Sequence, residues 1–234
     1  MNIFKSIKEE VLVPIHPTGW PFIFLFSLVT LIFGYFWQPF LLPGSFLSIW
    51  CVYFFRDPAR ITPTRENLII SPADGVVQMI EEASPPEELE MGSEPFNRIA
   101  VFMNVFDVHV NRIPTGGKIS KLAYRPGKFL NASLDKASEF NERQSVRLTL
   151  PNKIDIAFVQ IAGLIARRIK CDIKEKQAVV TGQRFGLIRF GSRVDLYLPQ
   201  NIPILVSVGQ RSIAGETVIA DLKLHEPSRS GEIR

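Results

Sequence analysis

Charged residues are absent from a long stretch near the amino terminus. Between Val11 and Phe55 there is no Lys, Arg, Asp or Glu, and Phe, Leu, Ile and Trp are abundant. A bilayer core about 30 Å thick is crossed by roughly 20 helical residues. The stretch therefore suffices for two short spans, Trp20 to Trp37 and Leu41 to Phe55, separated by helix-breaking residues. We predict that residues 1–55 form a membrane-anchoring hairpin; the break contains Gln38, Pro39, Pro43 and Gly44.

Basic residues flank this apolar stretch on both sides, with Lys5 and Lys8 before it and Arg56 and Arg60 after it. The positive-inside tendency then predicts that both ends face the cytoplasm at the cell (inner) membrane. A cleaved signal peptide fits poorly, because the apolar run is too long and no small-residue cleavage site follows it. Two alternatives stay open: a single span followed by an interfacial helix, and a buried helical pair in a soluble protein.

Cysteine is scarce, and the charge balance is only modestly basic. Two cysteines, Cys51 and Cys171, suggest neither a disulfide framework nor a metal site. The net charge of +4 comes from 27 Lys and Arg against 23 Asp and Glu. Beside a membrane this surplus favours anionic head groups. We expect no nucleic acid partner, because the chain has no concentrated basic run interleaved with aromatics.

From Leu68 onward the chain consists mostly of short apolar, β-branched runs separated by turn residues. This spacing predicts a mainly β domain over residues 56–234, a sandwich or flattened barrel that is α+β at most. Two stretches interrupt the pattern. One is the acidic loop "EEASPPEELEMGSE", and the other is "GKFLNASLDKASEFNERQ", for which a short helix or a mobile loop is expected.

A serine interrupts one face of a predicted strand. The stretch "RFGLIRFGSRVDLYLP", Arg184 to Pro199, reads as one long strand whose first face is apolar except at Ser192. A buried hydroxyl without a partner costs about 1–3 kcal/mol. A Gly-Ser pair is usually structural. Here, however, the Ser192 hydroxyl can attack the carbonyl of Gly191, which a glycine leaves little shielded.

One histidine is a candidate base for this nucleophile. Of three histidines, one lies in the membrane-proximal segment and one in the polar tail, which leaves His109. If the chain is extended here, Asp107, His109 and Asn111 share one face. A single histidine is more often a satisfied structural residue. Asp74 in "SPADG" is a second carboxylate of interest, although an Asp-Gly pair is commonly only a turn.

Several motifs together resemble a known family. They are "FGSRVDLYLP", "SPADG", "FDVHVNRIP", "FLNAS" followed by "NER", "QIAGLIARRI" and "AGETV". In this combination they resemble the short, archaeal-type form of phosphatidylserine decarboxylase, a pyruvoyl-dependent membrane enzyme. The resemblance runs from about Arg56 to Leu222, and a hydrophobic amino-terminal segment is typical of the family.

The resemblance implies a self-processing carboxy-lyase. Ser192 would attack the Gly191 carbonyl, and cleavage between these residues would convert Ser192 into a covalent pyruvoyl group. That group would act as an electron sink in the decarboxylation of phosphatidylserine to phosphatidylethanolamine and CO2. The expected partners are the phospholipid, the membrane, the two fragments of the chain held as a heterodimer, and further copies in a homo-oligomer.

The resemblance also assigns roles to individual residues. Asp74 matches an aspartate of the family's self-cleavage triad, and His109 matches the histidine tied to decarboxylation. Arg112 occupies the place of a second histidine that longer members carry. Our hypothesis is that His109 donates the proton and that Asp74 assists self-cleavage directly or through water. Candidates for binding the lipid phosphate or carboxylate are Arg167, Arg168, Arg184 and Arg193.

Two other classes of protein remain alternatives. A membrane-tethered carrier of the lipoyl or biotinyl type would need a lysine at a hairpin tip, and none stands out. A serine hydrolase is disfavoured because Gly-x-Ser-x-Gly is absent. Cleavage of the chain after Gly191 separates the self-processing enzyme from both alternatives.

Overall fold

A computed structural model describes residues 13–127, 141–163, 168–189 and 192–223, together with 229 and 231. The chain divides into two compact units, Met1–Ala59 and Arg60–Arg234. Among the described residues, the first unit is helical and the second is built mainly of strands. The functional division predicted from the sequence, at residues 55 and 56, stays a prediction.

The first unit is a helical hairpin of α1 (Trp20–Phe36) and α2 (Leu41–Phe54). The two helices approach closely where small residues face each other. A methyl group added to Gly44 would lie 2.6 Å from the Thr30 hydroxyl oxygen. The hydroxyls of Thr30 and Ser48 are 3.4 Å apart. Small and hydroxyl-bearing residues at such a crossing are typical of helix pairs that pack in lipid.

The two helices differ in their capacity to cross a bilayer. Of the helices in the described residues, only Pro17–Phe36 is both long and apolar enough for a span. The 14 residues of α2 extend about 21 Å, less than the bilayer core of about 30 Å. Both helices nevertheless expose many large apolar side chains. They include Phe24, Leu31, Phe36, Leu42, Phe46 and Ile49.

The described residues of the second unit form thirteen strands. They are β1 (Leu68–Ile70), β2 (Gly75–Ala83), β3 (Phe96–Met103), β4 (Val110–Arg112), β5 (Gly117–Arg125), β6 (Arg143–Thr149), β7 (Asp155–Ala162), β8 (Ile169–Cys171), β9 (Ala178–Val179), β10 (Arg184–Ile188), β11 (Ser192–Pro199), β12 (Arg211–Ser212) and β13 (Val218–Asp221). The prediction of a mainly β fold is confirmed.

These strands form three antiparallel sheets. The largest has the order β12-β2-β3-β11-β7-β6-β5-β9, the second is β4-β10-β8, and the third pairs β1 with β13. The main core lies between the eight-stranded and three-stranded sheets. There the Phe158 and Phe185 rings meet edge to face with centroids 4.9 Å apart. The two sheets are also joined by a hydrogen bond from Gln160 Nε2 to Asn111 Oδ1, at 2.8 Å.

The long strand predicted for Arg184 to Pro199 is instead two strands in different sheets. Strand β10 ends at Ile188, and β11 begins at Ser192 in the middle of the eight-stranded sheet. Both faces of β11 are buried, because a second apolar cluster that includes Leu89 covers its outer face. The alternation of side chains in this sequence therefore distinguishes two faces that are both buried. It does not distinguish a buried face from a solvated one.

A glycine is required where β10 packs against β8 of its own sheet and, less closely, against β7 of the eight-stranded sheet. A methyl group at Gly186 in β10 would lie 2.1 Å from the Lys170 carbonyl oxygen and 3.0 Å from Gln160 Nε2. At Gly116, by contrast, the closest atom would be the Val179 oxygen at 3.5 Å, an ordinary contact. The glycine at position 186 is thus required by space, whereas the one at 116 is not.

These two glycines give a matched test of the close packing around β10. Gly186→Ala should lower the free energy of unfolding by about 1–3 kcal/mol, because a backbone carbonyl must move. Gly116→Ala should be neutral or stabilising by up to about 1 kcal/mol, since alanine restricts the unfolded chain. Urea unfolding of the full-length protein in detergent measures both. Equal effects of the two substitutions would contradict the packing described.

Candidate active site

Several strand ends meet at one edge of the eight-stranded sheet. Strand β11 begins at Ser192, whose Cα partners are Met103 at the end of β3 and Ala162 at the end of β7. Strand β2 begins at Gly75, where an added methyl group would lie 3.3 Å from Met103 Cα. This antiparallel arrangement brings Asp74, immediately before β2, to the same edge as Ser192.

Ser192 is fully buried, as the sequence predicted for this face. Its hydroxyl lies 4.0 Å from the Met103 sulfur, and Asn111 Nδ2 lies 3.6 Å from the same sulfur. A thioether is a weak acceptor, so this contact orients the hydroxyl without holding it strongly. Gly191, the other residue of the predicted cleavage site, lies outside the described residues.

His109 is fully buried directly before β4. Its Nδ1 lies 2.9 Å from the backbone oxygen of Asp107. Because a carbonyl can only accept, we assign the proton to Nδ1, which makes Nε2 the lone-pair nitrogen of the neutral ring. The His109 oxygen accepts from Ile188 N at 3.4 Å, so the connection from β10 to β11 starts beside this histidine.

The expectation that Asp107, His109 and Asn111 share one face of a strand differs from the structure. Asp107 lies in a turn, where its carboxylate accepts from Asn104 N at 2.9 Å and from Arg211 Nη2 at 2.5 Å. Strand β4 begins only at residue 110. Short polar side chains that bond nearby backbone groups favour turns over strands, and this local chemistry outweighs the apolar alternation.

Asp74 is buried and held from two directions. One carboxylate oxygen lies 2.6 Å from Arg60 Nη2, and the other accepts from Ala214 N at 2.8 Å. The loops that carry "SPADG" and "AGETV" are further joined where Gly215 N donates to Ser71 O at 2.9 Å. Two motifs far apart in sequence therefore form one unit that fixes the orientation of the Asp74 carboxylate.

Arg112, in the place of the family's second histidine, is bound within the fold. Its Nη1 donates to Gly182 O at 3.0 Å, and its backbone N donates to Pro72 O at 2.9 Å. Its stem packs on Gly215, which has a φ of +82° and where a methyl group would lie 2.7 Å from Arg112 Cδ. These contacts indicate that Arg112 positions the loops around Asp74.

The arginines predicted to bind the lipid have different surroundings. Arg193 is fully buried and pairs with Asp195, with Nε 2.7 Å from Oδ1 and Nη2 3.0 Å from Oδ2. Arg168 is exposed directly before β8. Arg184 begins β10, at the end of that strand away from Ser192. Arg167 lies outside the described residues, as does most of "FLNASLDKASEFNER".

A buried ionic network passes through β11, and it was not predicted from the sequence. Arg98 on β3 pairs with Glu81 on β2, and its Nη1 lies 3.9 Å from Asp195 Oδ2. Burial, and then the Asp195 charge, raise the pKa of the nearby Tyr197 phenol above its usual value. The sequence does contain a pattern that predicts this ion pair: residues of opposite charge at positions 193 and 195 lie on the same face of a strand.

Ser192 and Asp74 thus lie at the same edge of the eight-stranded sheet, and His109 contacts Ile188, four residues before Ser192, so these three residues define a candidate enzyme active site. The phosphatidylserine decarboxylase family model matches residues 47–220. A protein of Paramagnetospirillum magneticum named phosphatidylserine decarboxylase proenzyme is 60% identical over 98% of this chain and 95% of its own length. A proenzyme of the same name from Cereibacter sphaeroides is 58% identical, covering 94% of this chain and 95% of its own.

A third such proenzyme, from Rhodospirillum rubrum, is 55% identical over 97% of each chain. The chain belongs to the phosphatidylserine decarboxylase family. The predicted archaeal-type subtype has no support from these relatives, which are bacterial proenzymes.

The ionic network gives a test that compares two aspartates. Asp195→Asn should lower the free energy of unfolding by about 3–5 kcal/mol, because it leaves the buried Arg193 charge without its counter-ion. The control is Asp172→Asn, whose partner Lys170 lies 3.0 Å away in a pair more than 40% exposed. Its loss should cost at most about 1 kcal/mol. Thermal unfolding that gave equal losses would exclude the assigned role of Asp195.

Proposed function

We propose that this chain is a self-processing, pyruvoyl-dependent decarboxylase that converts phosphatidylserine to phosphatidylethanolamine and CO2. One observation carries the proposal: the fully buried Ser192 begins a central strand of a chain with 60% identity to a phosphatidylserine decarboxylase proenzyme. A surface serine would suit an incoming substrate, whereas a buried serine at a strand start suits attack on its own chain.

Self-processing starts at the Ser192 hydroxyl. Its oxygen attacks the Gly191 carbonyl carbon, the peptide C–N bond breaks, and an ester replaces the amide. Loss of the Ser192 α-proton then expels the Gly191 carboxylate by β-elimination and leaves dehydroalanine. Addition of one water releases one ammonia and leaves pyruvoyl at position 192. The products are residues 1–191, with a free carboxylate, and residues 192–234.

The surroundings of Ser192 are suited to a neutral pyruvoyl group. Its Cα partners, Met103 and Ala162, belong to an apolar cluster that also contains Ile188 and Val194. When formed, the pyruvoyl group supplies an electron sink for decarboxylation. The apolar residues exclude water and provide the low polarity that favours departure of a carboxylate as neutral CO2.

His109 is proposed as the proton donor. With Nδ1 directed at the Asp107 carbonyl, Nε2 is the ring atom that takes up and releases a proton. This nitrogen would deliver a proton to the carbon from which CO2 departs. The backbone contact to Ile188, close in sequence to Ser192, supports this placement.

Asp74 is proposed to assist self-cleavage, directly or through water. Its carboxylate is held by Arg60 and by the Ala214 amide, so it acts from a fixed position. Arg112 would contribute by fixing the same loops, since its guanidinium donates to Gly182 O. The role of the second histidine of longer family members is thereby divided between a fixed carboxylate and the loops around it.

The proposed location is the cytoplasmic face of the inner membrane. The helix Pro17–Phe36 supports membrane anchoring, and exposed apolar residues on α1 and α2 support burial of the hairpin in lipid. After cleavage both fragments would remain together, because β11 lies between β3 and β7. Association of these heterodimers into a homo-oligomer stays a prediction.

Intact-mass analysis tests self-processing. The purified chain should yield two fragments divided after Gly191, the smaller one lighter by one ammonia than a peptide beginning with serine. Ser192→Ala should remain one unbroken chain, because it has no nucleophile. Ser84→Ala, which removes an exposed hydroxyl elsewhere, should be processed like the wild type. An unbroken wild-type chain would overturn the proposal and favour the carrier alternative.

The role of His109 is tested by separating processing from turnover. His109→Ala should still be cleaved, whereas its decarboxylation rate should fall about 10²- to 10⁴-fold, the usual contribution of a positioned general acid. Release of CO2 from phosphatidylserine micelles measures turnover, and intact mass measures processing. His225→Ala, in the polar tail, is the control. Failure of His109→Ala to cleave would contradict the separate roles.

A further inference from the structure

Two arginines meet at the end of the three-stranded sheet. Ile169 in β8 and Ile188 in β10 are Cα partners in an antiparallel ladder. Arg168 directly precedes the first of these residues and Arg189 directly follows the second. One step beyond a paired position, antiparallel strands again place two residues opposite each other. The two guanidinium groups therefore extend from facing backbone positions.

The pair is electrostatically prepared for an anion. Burial, and then the positive charge of Arg168, lower the pKa of Arg189 below its usual value. Arg168 is exposed and Arg189 is partly buried, so a ligand can reach the pair from solvent. An anion between two guanidinium groups relieves their repulsion and gains charge-assisted hydrogen bonds from both.

A buried glutamate fixes the backbone beside this pair. Glu142 is 4% exposed, and its Oε1 accepts from Ile169 N and from Tyr124 OH, each at 3.2 Å. Its backbone oxygen accepts from Ala162 N at 2.9 Å. The start of β8 is therefore anchored to the strand end that pairs with Ser192, and Arg168 extends from a defined position.

The distance to the reaction centre suits a lipid head group. Arg189 is three residues before Ser192, a separation of at most about 10 Å along an extended chain. The long arginine side chains cover part of that separation. In a serine phospholipid the amine and the phosphodiester are only a few bonds apart. When the amine is bound at position 192, the phosphodiester therefore lies within reach of the two arginines.

We propose that Arg168 and Arg189 together bind the phosphodiester of the lipid head group, an inference that rests on the proposed decarboxylase function. The phosphodiester is favoured over the carboxylate because the carboxylate must leave as neutral CO2. A guanidinium pair on the carboxylate would stabilise the ground state and slow the reaction. The phosphate keeps its charge from substrate to product, so binding it stabilises the substrate, the transition state and the product equally, which is uniform binding.

Uniform binding predicts a characteristic kinetic result. Arg168→Gln and Arg189→Gln should each raise KM for phosphatidylserine about tenfold, with kcat within about twofold of wild type. Lys174→Gln is the matched control: it removes one exposed positive charge beyond the other end of β8. Each preparation is first shown by intact mass to be fully processed. Unchanged KM in both arginine variants, or an equal rise in Lys174→Gln, would overturn the proposal.

A binding measurement distinguishes failure of this inference from failure of the enzyme assignment. Calorimetry with soluble glycerophosphoserine requires neither a lipid surface nor turnover. Wild type and Lys174→Gln should bind it equally, and Arg189→Gln should bind about tenfold more weakly. Equal affinity of wild type and Arg189→Gln, or no binding to wild type, would overturn the proposal that the two arginines bind the phosphodiester. Inorganic phosphate that bound as tightly as glycerophosphoserine would overturn assignment to the lipid head group.

Discussion

Strand β11 is hydrogen-bonded along its length on both sides, to β3 from Ser192 to Pro199 and to β7 from Ser192 to Tyr197. Much of the second unit depends on this pairing. The residue proposed to be processed begins the strand, so processing there leaves the pairing from Arg193 to Pro199 with β3 in place. A central strand also has no exposed edge from which it can be displaced. The fold thus tolerates a chain break at the centre of its largest sheet.

The same central position imposes a cost, because polar groups on both faces of β11 are removed from water. Arg193 and Asp195 meet this constraint by pairing with each other, and Arg98 continues the network into β3. A buried ion pair adds little net stability, since its desolvation offsets most of its attraction. Its main effect here is to favour one arrangement of the paired strands. In the proposed processed form, Arg98 and Asp195 belong to different fragments, so their proximity would favour one register between them.

The mainly β fold, the two apolar helices and the burial of Ser192 could be predicted, because each depends on local sequence: alternation for the strands and for Ser192, and a long uncharged run for the helices. The separation of β10 from β11 could not, since both flanks are apolar and only the tertiary structure assigns them to different sheets. The turn at Asp107 was missed because its side-chain bonds to Asn104 and Arg211 outweigh alternation. Arg193 was predicted as a candidate for binding the lipid, whereas it is buried and pairs with Asp195, two residues along on the same strand face.

In the candidate site the two arginines proposed to bind the head group lie apart from the apolar cluster around Ser192, and this separation follows from the chemistry proposed. Departure of CO2 is favoured by low polarity, which the apolar cluster around Met103 and Ala162 provides. Recognition of an ionic head group requires fixed charges, and these are costly to bury. Placing Arg168 and Arg189 at the rim, apart from the apolar cluster that contains Met103 and Ala162, satisfies both requirements. A guanidinium in contact with the substrate carboxylate would strengthen binding but would hold that carboxylate in its charged form. Distance between binding and reaction is therefore a requirement of the chemistry, and the end of the β8–β10 ladder provides it.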